Sequence, residues 1–478
     1  MRQQLHIRVD GNATIGHGHY IRCLALAQMV AADFECHFYS ITIPENARAT
    51  IINEQFVLHE LAHEADFLQA IQPNDLVLID GYSFDLAYQT TLKEKNAILC
   101  MIDDAPTGTY TVDCLINHAP GGLPENYQLP QNGQFALGTD YALVRKGYQQ
   151  KAKEELPLGD NDAVFVCFGG ADPKLLTIET VKLLIELACF KRVIVVIGTS
   201  FQAKNELLNL VEKQPEISVH SGVSEIEMID LMLTCQFAIV PTSSLLFEAL
   251  ALHRTIISGC YIENQQQLYT EFKQLNAFVD AGNFKKEELK KALLTVKESA
   301  VSERVLIDGW APIRFQNLFA RLTHHGKPHL IKALPSHVEL TYKWATDPVI
   351  RAFSFSEKTI EWDEHQAWYS RKMNDNACFY YLAVLNDEFI GTIRFDCFES
   401  QAVISYLIDS AFHGKGYGSW ILKEGIDQLE RDLTISSIQV HEIIGNVIPS
   451  NTPSVKSFEK LNFGKTESAG VITYRMKR

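Results

Sequence analysis

Glycines and histidines alternate in the segment Ile15-Gly16-His17-Gly18-His19, close to the beginning of the chain. Apolar residues alternate before this segment as they do in a strand, and they recur after it at helical spacing. The segment is therefore predicted to join a strand to a helix, at the edge where open α/β sheets bind ligands. Its glycines allow a ligand to approach closely, and His19, beside the positive end of the helix, could act as a base near neutral pH.

The same segment allows two other interpretations. The glycines can form a tight turn whose histidines face solvent, and this short pattern alone does not decide between a turn and a site. His17 and His19 could also bind a metal ion, but no nearby Asp, Glu or Cys supplies a third ligand at a familiar spacing. We therefore expect no metal site.

Two later turns also carry residues suited to a phosphate-containing ligand. Gly169-Gly170-Ala171-Asp172 follows one predicted strand, and Pro241-Thr242-Ser243-Ser244 follows another and opens a helix predicted over 245–252. Small residues and hydroxyls at a helix N-terminus suit a diphosphate, and Glu248, one turn further on, could accept hydrogen bonds from ribose hydroxyls. The alternative is that Ser243 only caps the helix and Glu248 is a surface carboxylate.

The elements around these turns indicate two similar α/β halves. Strands are predicted at 76–80, 97–103, 114–117 and 135–137, then at 163–168, 192–197, 237–240 and 255–258. A polar stretch over 149–162 is predicted as a linker between the halves. The predicted domains are residues 1–152 and 153–325, with a ligand cleft between two parallel sheets.

The pattern changes beyond His324-His325-Gly326-Lys327-Pro328. Two long strands at 379–385 and 389–398 flank Asn386-Asp387-Glu388, as in an antiparallel hairpin. Residues 329–478 are therefore predicted to form a domain of a different, mixed α/β fold, and the chain is interpreted as a fusion.

Composition excludes several classes of protein. A formal net charge of -15 over 478 residues gives no overall attraction to nucleic acid or to anionic membranes. The sequence contains no apolar run long enough to cross a bilayer, and its first residues do not form the apolar core of a signal peptide. The 10 cysteines stand singly, without a Cys-x-x-Cys pair, which is typical of a reduced cytoplasmic protein. The oligomeric state stays open.

The first 320 residues or so resemble a known enzyme family. The resemblance lies in an ordered series of motifs: Ile15-Gly-x-Gly-His19, Ile79-Asp80-Gly81-Tyr82, Asp103-Asp104, Gly138-x-x-Tyr141-Ala-Leu-x-Arg145, Gly169-Gly170-x-Asp172, Ser243-Ser244-x-x-x-Glu248-Ala249 and Asn264-Gln265. In this order they resemble the UDP-2,4-diacetamido-2,4,6-trideoxy-β-L-altropyranose hydrolases of pseudaminic acid biosynthesis. That resemblance implies a two-lobed glycosyltransferase type B fold, with two Rossmann-like lobes.

The resemblance also implies roles for individual residues. His19 would be the general base that activates water, Tyr82 would line the sugar site, and UDP would be the leaving group. No metal would be required. The residues that would contact the substrate are Gly16, Gly18, Asp80, Gly170, Ser243, Ser244, Glu248, Asn264 and Gln265.

The C-terminal part resembles the GNAT acyltransferases. A predicted strand over 403–408 leads into His413-Gly414-Lys415-Gly416-Tyr417-Gly418 and a helix over 420–429. In that family such a loop holds the pyrophosphate of CoA with backbone amides at a helix N-terminus. The resemblance implies acetyl-CoA as cosubstrate, bound by Ile408, His413, Gly414, Lys415, Gly416, Tyr417, Gly418, Ser419, Asn451 and Ser454.

One departure from the GNAT pattern concerns the chemistry. Many relatives carry a tyrosine at the position of Phe458, where it protonates the departing thiolate, and a phenylalanine cannot donate that proton. Water or another residue must then do so, or the domain is slow. Glu364 and His365 could act as bases toward the amine, although a solvated helix face explains them equally well.

These inferences combine into one expected function. The chain is predicted to be a cytoplasmic bifunctional enzyme that N-acetylates the 4-amino group of a UDP-amino sugar and hydrolyses the resulting UDP-diacetamido sugar. One alternative is a UDP-sugar hydrolase with 2-epimerase activity in a related nonulosonic acid pathway. A second is a nucleotide-sugar-binding sensor whose GNAT domain acetylates proteins.

Overall fold

The chain divides into two compact units, Met1–Pro312 and Ile313–Arg478. The computed structural model describes residues 3–11, 18–104, 108–298, 305–356 and 358–478. Within this part of the chain, no helix is both long enough and apolar enough to cross a membrane.

The N-terminal unit begins with a parallel sheet. Its strands are β1 (Gln3–Val9), β2 (Phe34–Ser40), β3 (Val57–Glu60), β4 (Leu76–Asp80), β5 (Ile98–Ile102), β6 (Cys114–Asn117) and β7 (Gln134–Leu137). Its helices are α1 (Gly18–Val30), α2 (Glu45–Asn53), α3 (Glu64–Ala70), α4 (Leu86–Glu94) and α5 (Lys146–Lys151). The strand order is β3-β2-β1-β4-β5-β6-β7. Every residue of β4 is buried, as expected for a parallel strand covered on both faces.

A second parallel sheet follows in the same unit. Its strands are β8 (Asp160–Val166), β9 (Arg192–Ile197), β10 (Ile217–Ser221), β11 (Cys235–Pro241), β12 (Thr255–Gly259) and β13 (Val279–Asp280). Its helices are α6 (Leu176–Leu187), α7 (Lys204–Val211), α8 (Glu225–Leu233), α9 (Ser244–Ala251), α10 (Gln266–Gln274) and α11 (Lys286–Thr295). The strand order is β10-β9-β8-β11-β12-β13.

The strand order of both sheets reverses at an inner pair of strands. In the first sheet β1 lies beside β4, and in the second β8 lies beside β11. The connections after these paired strands leave toward opposite sides and open a crevice at the carboxyl ends, which is where open α/β sheets bind ligands. Four of the sequence motifs lie in the segments after β1, β4, β8 and β11, and the other three follow β5, β7 and β12.

The C-terminal unit is built on a mixed sheet. Its helices are α12 (Ala311–Thr323), within which the unit begins, α13 (Val338–Thr346), α14 (Pro348–Arg351), α15 (Trp362–Met373), α16 (Tyr417–Leu433) and α17 (Thr452–Lys460). Its strands are β14 (His329–Lys332), β15 (Cys378–Leu385), β16 (Glu388–Phe398), β17 (Gln401–Ile408), β18 (Glu442–Val447), β19 (Gly464–Ser468) and β20 (Val471–Lys477). The strand order is β14-β15-β16-β17-β18-β20-β19, and β17 and β18 are parallel while the other neighbours are antiparallel.

The predicted fold class is confirmed: parallel α/β sheets precede a mixed α/β domain. The predicted linker over 149–162 is too long, because its first residues complete α5 and its last residues begin β8. The units divide at Pro312 and Ile313, before the predicted boundary at 325–329. Asn317 of α12 binds the backbone of Lys332 in β14 through its side-chain nitrogen and oxygen, which attaches this helix to the C-terminal sheet. The separation of residues 1–152 from 153–325 as domains stays a prediction.

Candidate functional site

A histidine and a carboxylate meet where β1 and β4 end. His19 is the second residue of α1, and Asp80 is the last residue of β4. His19 Nδ1 lies 2.7 Å from Asp80 Oδ1. The two side chains meet because β1 and β4 are neighbours in the sheet, although 61 residues separate them along the chain.

Arg22 completes this cluster from the next turn of α1. Its Nε donates a hydrogen bond of 2.6 Å to Asp80 Oδ2, and its Nη2 donates one of 2.5 Å to Oδ1. Its Nη1 donates to Asp104 Oδ2 at 2.6 Å. Burial raises the pKa of the Asp80 carboxyl, but the charge and hydrogen bonds of Arg22 outweigh it and hold this pKa below its usual value. Asp80 is therefore ionised at neutral pH.

The ionised carboxylate selects the tautomer of His19. A carboxylate can only accept, so Nδ1 of His19 donates to Asp80, and in the neutral imidazole this arrangement leaves the lone pair on Nε2. Arg22 Nη2 also lies 3.0 Å from Nδ1, but the contact with the negative Asp80 oxygen is shorter and charge-assisted. A neutral imidazole with its Nε2 unprotonated is the form required of a general base.

Asp80, which is predicted to bind the substrate, is 0% exposed, and its oxygens hold His19 and Arg22. Its contact with the substrate stays a prediction. His19 itself is buried, so the alternative of a solvated histidine is wrong. Tyr82, 71% exposed, places its ring edge-on to the His19 imidazole, with 5.1 Å between the ring centroids. Gly18 begins α1, whereas Gly16 and His17 lie outside the described residues.

A second buried carboxylate lies in α9. Glu248 is 4% exposed, so the alternative of a surface carboxylate is wrong. Its Oε1 accepts a hydrogen bond of 2.9 Å from Arg145 Nε, while its buried Oε2 has no hydrogen-bond partner among the described residues. Burial raises the pKa of Glu248, and the positive charge of Arg145 opposes that rise. An unpaired buried oxygen of this kind is suited to accept a hydrogen bond from a ligand.

The start of α9 lies beside Glu248. Ser243 is the N-cap, and its hydroxyl accepts from the Leu245 N–H at 3.4 Å, as the capping alternative expects. Ser244 is the first helical residue and is exposed. Its hydroxyl and the backbone N–H groups at this helix end are suited to bind an anion.

His118, which the sequence analysis missed, connects this helix to the first sheet. It follows β6, and its ring stacks on Phe247 of α9 with 4.4 Å between the centroids. Its Nδ1 accepts a hydrogen bond of 3.2 Å from the Leu143 N–H. Burial, together with the charge of Arg22, lowers the pKa of His118 to about 4, so the ring is neutral and packs as an apolar surface. The sequence offered one signal for His118, namely that it directly follows a predicted strand of the first sheet.

The remaining predicted substrate residues fall into two groups. Gly170 follows β8, and nothing lies within 4 Å of the place where its Cβ would be. Asn264 is exposed, whereas Gln265 is buried and its Oε1 accepts from the Tyr261 N–H at 3.4 Å. Gly170 and Asn264 are thus open to a ligand, whereas the Gln265 side chain is hydrogen-bonded to the backbone of Tyr261.

The glycine-rich loop of the C-terminal unit lies between β17 and α16. Gly414 and Gly416 have φ values of +75° and +84°, and Gly416 is the N-cap of α16. Nothing lies within 4 Å of a Cβ position at either glycine, so the loop is open above its backbone. His413 Nε2 contacts the Ile408 carbonyl oxygen at 2.9 Å, which joins the ends of the loop. The first backbone N–H groups of a 17-residue helix, those of Tyr417, Gly418 and Ser419, have no partner within the helix, and such groups are suited to bind a pyrophosphate. The predicted contacts of this loop with CoA stay a prediction.

Asn451 and Ser454 lie at the start of α17. Asn451 Oδ1 accepts from the Ser454 N–H at 3.2 Å, so this side chain caps the helix. The Ser454 hydroxyl accepts a hydrogen bond of 3.0 Å from Tyr406 of β17. Their predicted contact with the cosubstrate stays a prediction.

A cavity of about 720 Å³ lies within the C-terminal unit. Residues of α13, α15, β15, β16 and β17 line it, among them Trp368, Arg394 and Tyr406. The two predicted base candidates also line it: Glu364 is exposed and pairs with Lys358, and His365 Nε2 lies 3.0 Å from the Thr341 hydroxyl. Burial lowers the pKa of His365, so its ring is neutral at neutral pH.

A comparison with protein families identifies the C-terminal domain. The family model described as "Acetyltransferase (GNAT) domain" matches residues 329–464. The match confirms the predicted GNAT-type domain and, with it, acetyl-CoA as cosubstrate.

Two relatives extend the comparison to the rest of the chain. An uncharacterized protein of Methanocaldococcus jannaschii is 22% identical over 482 residues, with 97% of each chain covered. A Helicobacter pylori protein named pseudaminic acid cytidylyltransferase and UDP-2,4-diacetamido-2,4,6-trideoxy-beta-L-altropyranose hydrolase is 26% identical over 239 residues. That match covers 48% of this chain, and the chain spans only 42% of the length of that relative.

Solved structures match the chain over about a third of its length. A domain from Methanocaldococcus jannaschii has 21% identity and a TM-score of 0.28, covering 32% of this chain and 99% of that domain. The spermidine N-acetyltransferase of Vibrio cholerae in complex with CoA and spermine has 16% identity and a TM-score of 0.29. It covers 31% of this chain and 95% of that structure.

Proposed function

We propose that the chain is a bifunctional nucleotide-sugar enzyme. The N-terminal unit hydrolyses UDP-2,4-diacetamido-2,4,6-trideoxy-β-L-altropyranose to UDP and the free sugar. The C-terminal unit transfers the acetyl group of acetyl-CoA to the 4-amino group of the UDP-amino-sugar precursor. The observation that carries the hydrolase proposal is the His19 imidazole, held by an ionised, buried Asp80 at the reversal point of a parallel sheet.

In the proposed hydrolysis, His19 Nε2 takes a proton from water. The water oxygen attacks the anomeric carbon, and the bond from that carbon to the phosphate oxygen breaks, with inversion. The electron pair of that bond leaves with UDP. Asp80 stabilises the imidazolium that forms, and exposed Tyr82 beside the imidazole is placed to line the sugar pocket.

The second sheet is suited to hold the UDP. The N-terminus of α9 and the Ser244 hydroxyl offer donors to the diphosphate, and the free Oε2 of Glu248 offers an acceptor to a ribose hydroxyl. Asp80 and Asp104 are paired with Arg22, which leaves the charge of the departing phosphate to these donors. We therefore expect UDP release to continue in excess EDTA.

The order of the two reactions follows from their chemistry. A neutral amine attacks the thioester, and the UDP group gives the acetyltransferase binding energy that a free sugar lacks. A hydrolase pocket shaped for a second acetamido group would discriminate against an ammonium group, which a site built for an amide would leave unpaired. Acetylation at C4 is therefore proposed to precede hydrolysis.

The proposal is tested by mass spectrometry of the products formed from acetyl-CoA and a UDP-4-amino-4,6-dideoxy-N-acetyl sugar. The expected products are CoA, UDP and the free diacetamido sugar. In His19→Asn the reactions should stop after acetylation, so that the UDP-diacetamido sugar accumulates. Gly416→Asp, which places a carboxylate where the pyrophosphate would lie, should abolish acetylation but leave hydrolysis of pre-acetylated substrate intact.

Three results would contradict the proposal. No UDP release from any UDP-diacetamido sugar would favour a binding protein. Solvent deuterium at C2 of the product would indicate an epimerising hydrolase. Hydrolysis of the unacetylated sugar at the same rate as the diacetamido compound would refute the proposed order.

A further inference from the structure

We propose that Tyr406 is the acid that protonates the sulfur of departing CoA. The inference rests on the acetyl transfer proposed above, and it assigns a residue to a step for which the sequence offered none. Its starting point is the phenylalanine at position 458, where many GNAT enzymes carry a tyrosine.

The packing of Phe458 leaves little room for a hydroxyl at that position. Its ring is 1% exposed and stacks on Tyr474, with 4.8 Å between the centroids. A Cβ added to Gly445 of β18 would lie 2.3 Å from Phe458 Cζ, so the tip of the ring occupies the space where a side chain at 445 would stand. A hydroxyl on Cζ would therefore be crowded by β18 at Gly445, and the phenylalanine itself has no proton to donate, so the proposed acid comes from another element.

Tyr406 lies next to both the cavity and the start of α16. It lines the cavity of about 720 Å³ in which the acceptor is proposed to bind. Its ring also approaches the start of α16, because a Cβ added to Gly418, the second residue of that helix, would lie 4.0 Å from Tyr406 Cε2. The residue is thus near both the proposed acceptor site and the helix end proposed to hold the CoA pyrophosphate.

The register of the sheet exposes this part of β17. Among the described residues, the pairs between β17 and β18 end at Ile404 and Gly445, whereas β17 continues to Ile408. Tyr406 therefore belongs to the part of β17 beyond its last pair with β18. In the proposed complex the thioester lies between the two strands, beside this side chain.

The hydroxyl of Tyr406 is held in place and carries a proton. It donates a hydrogen bond of 3.0 Å to Ser454 Oγ at the start of α17, a buried hydroxyl. Burial raises the pKa of Tyr406, so the phenol stays protonated at neutral pH. A phenol has a single proton, so in the proposed complex the Ser454 hydroxyl turns to donate to the Tyr406 oxygen, which frees the phenol proton for the sulfur.

The proposed step balances as follows. The amine nitrogen of the acceptor attacks the thioester carbonyl carbon and forms the new C–N bond. As the C–S bond breaks, its electron pair stays on sulfur, and Tyr406 gives its proton to that sulfur, which yields the free thiol of CoA. The acceptor nitrogen loses a proton to water, and the Tyr406 phenolate takes one back from water.

The experiment compares Tyr406→Phe with two other variants of the same domain. Tyr474→Phe is the matched control, because the buried Tyr474 hydroxyl has no hydrogen-bond partner among the described residues. Ser454→Ala removes the partner of Tyr406. With acetyl-CoA and the UDP-amino sugar, Tyr406→Phe should lower kcat by roughly 10²-fold or more at unchanged affinity for CoA. The kcat of Tyr474→Phe should stay within about twofold of wild type, and the kcat of Ser454→Ala should fall by roughly tenfold or less.

A binding measurement tests the same contact without turnover. By calorimetry, wild-type protein should bind CoA about threefold to tenfold more tightly than desulfo-CoA, because the phenol donates to the sulfur. The ratio should fall to about one in Tyr406→Phe and stay at the wild-type value in Tyr474→Phe. Thermal unfolding of each variant checks that the domain is folded.

The outcomes separate this inference from the proposed function. If wild-type protein does not acetylate the UDP-amino sugar, the proposed acceptor is wrong, and the CoA to desulfo-CoA ratio still decides the role of Tyr406. An unchanged ratio in Tyr406→Phe overturns the inference, as does a kcat within a few-fold of wild type. The inference is also overturned if Ser454→Ala abolishes acetyl transfer while Tyr406→Phe lowers kcat only slightly, because Ser454 would then be the acid.

Discussion

Replacing Asp80 by asparagine should destabilise the N-terminal unit and inactivate its proposed reaction. Asp80 is 0% exposed and accepts hydrogen bonds from His19 and from Arg22. Asparagine keeps the shape of the side chain but removes the negative charge. Among the residues that the structure describes, the buried guanidinium of Arg22 would then retain only Asp104 as a charged partner.

The expected loss of stability follows from the buried ion pair between Asp80 and Arg22. Removing one partner of a buried ion pair typically lowers the free energy of unfolding by about 3–5 kcal/mol, which corresponds to a fall of roughly 5–8 °C in Tm for a unit of this size. The pKa of Asp80 is lowered in the folded state from the ordinary value of 3.8, so its contribution is present in full above that pH. It is lost as the pH falls through the lowered pKa. Wild type and Asp80→Asn should therefore differ most near neutral pH and converge in acid.

The same substitution should lower UDP release by roughly 10²–10⁴-fold, because the amide no longer enforces the His19 tautomer that leaves Nε2 free. Asp104→Asn is the control. Asp104 binds Arg22 but does not contact His19, and its side chain is 36% exposed, so about 1 kcal/mol or less is expected. Calorimetric unfolding and a coupled assay for UDP measure both effects. If Asp80→Asn matches Asp104→Asn in stability or keeps near-normal UDP release, the proposed role of Asp80 is wrong.

Four further outcomes follow from buried or constrained groups. Glu248→Gln should weaken UDP binding by about tenfold or more in calorimetry, and unchanged affinity would exclude the ribose contact. Gly445→Ala should lower the free energy of unfolding by about 1–3 kcal/mol, because the added methyl group would overlap the ring of Phe458. Gly416→Asp should abolish CoA binding while UDP binding is retained, as measured by calorimetry on one preparation. Burial lowers the pKa of His6 below 6.5, so stability in urea should fall as the pH drops from about 7.5 to 5.5, and less so in His6→Gln.

The elements that the sequence predicted well are those with a strong local signal. The strands predicted at 76–80, 114–117 and 192–197 have the observed bounds, because apolar runs bounded by polar or turn residues are typical of buried parallel strands. The hairpin was also predictable, since Asn386 and Asp387 adopt positive φ, which this pair of residue types tolerates in tight turns. The linker was predicted too long because a polar composition does not distinguish a loop from the exposed end of a strand or helix.

The partners of the site residues could not be predicted in the same way. His19 was recognisable from the glycines beside it, but Arg22 lies in an apolar helix and resembles an ordinary surface charge until α1 is placed on the sheet. Asp80 was recognised as part of a motif and assigned to the substrate, because a sequence does not show that a carboxylate is fully buried. His118 carried no motif, and its role depends on stacking against a helix far along the chain.

In both units the proposed site lies where a strand ends and a helix begins. This shared arrangement explains which features of the site can be recognised in the sequence. At each site a strand ends, a turn follows and a helix begins, and these features are visible locally because they depend on glycines, small residues and caps. The side chain proposed to react or to bind is then held by a partner from another element: His19 by Asp80 at a separation of 61 residues, Glu248 by Arg145 at 103, and Tyr406 by Ser454 at 48. Those partners decide protonation state and orientation, and only the order of strands in the sheet brings them together. A motif therefore locates a site of this kind, whereas the chemistry of the site depends on long-range contacts that the motif does not contain.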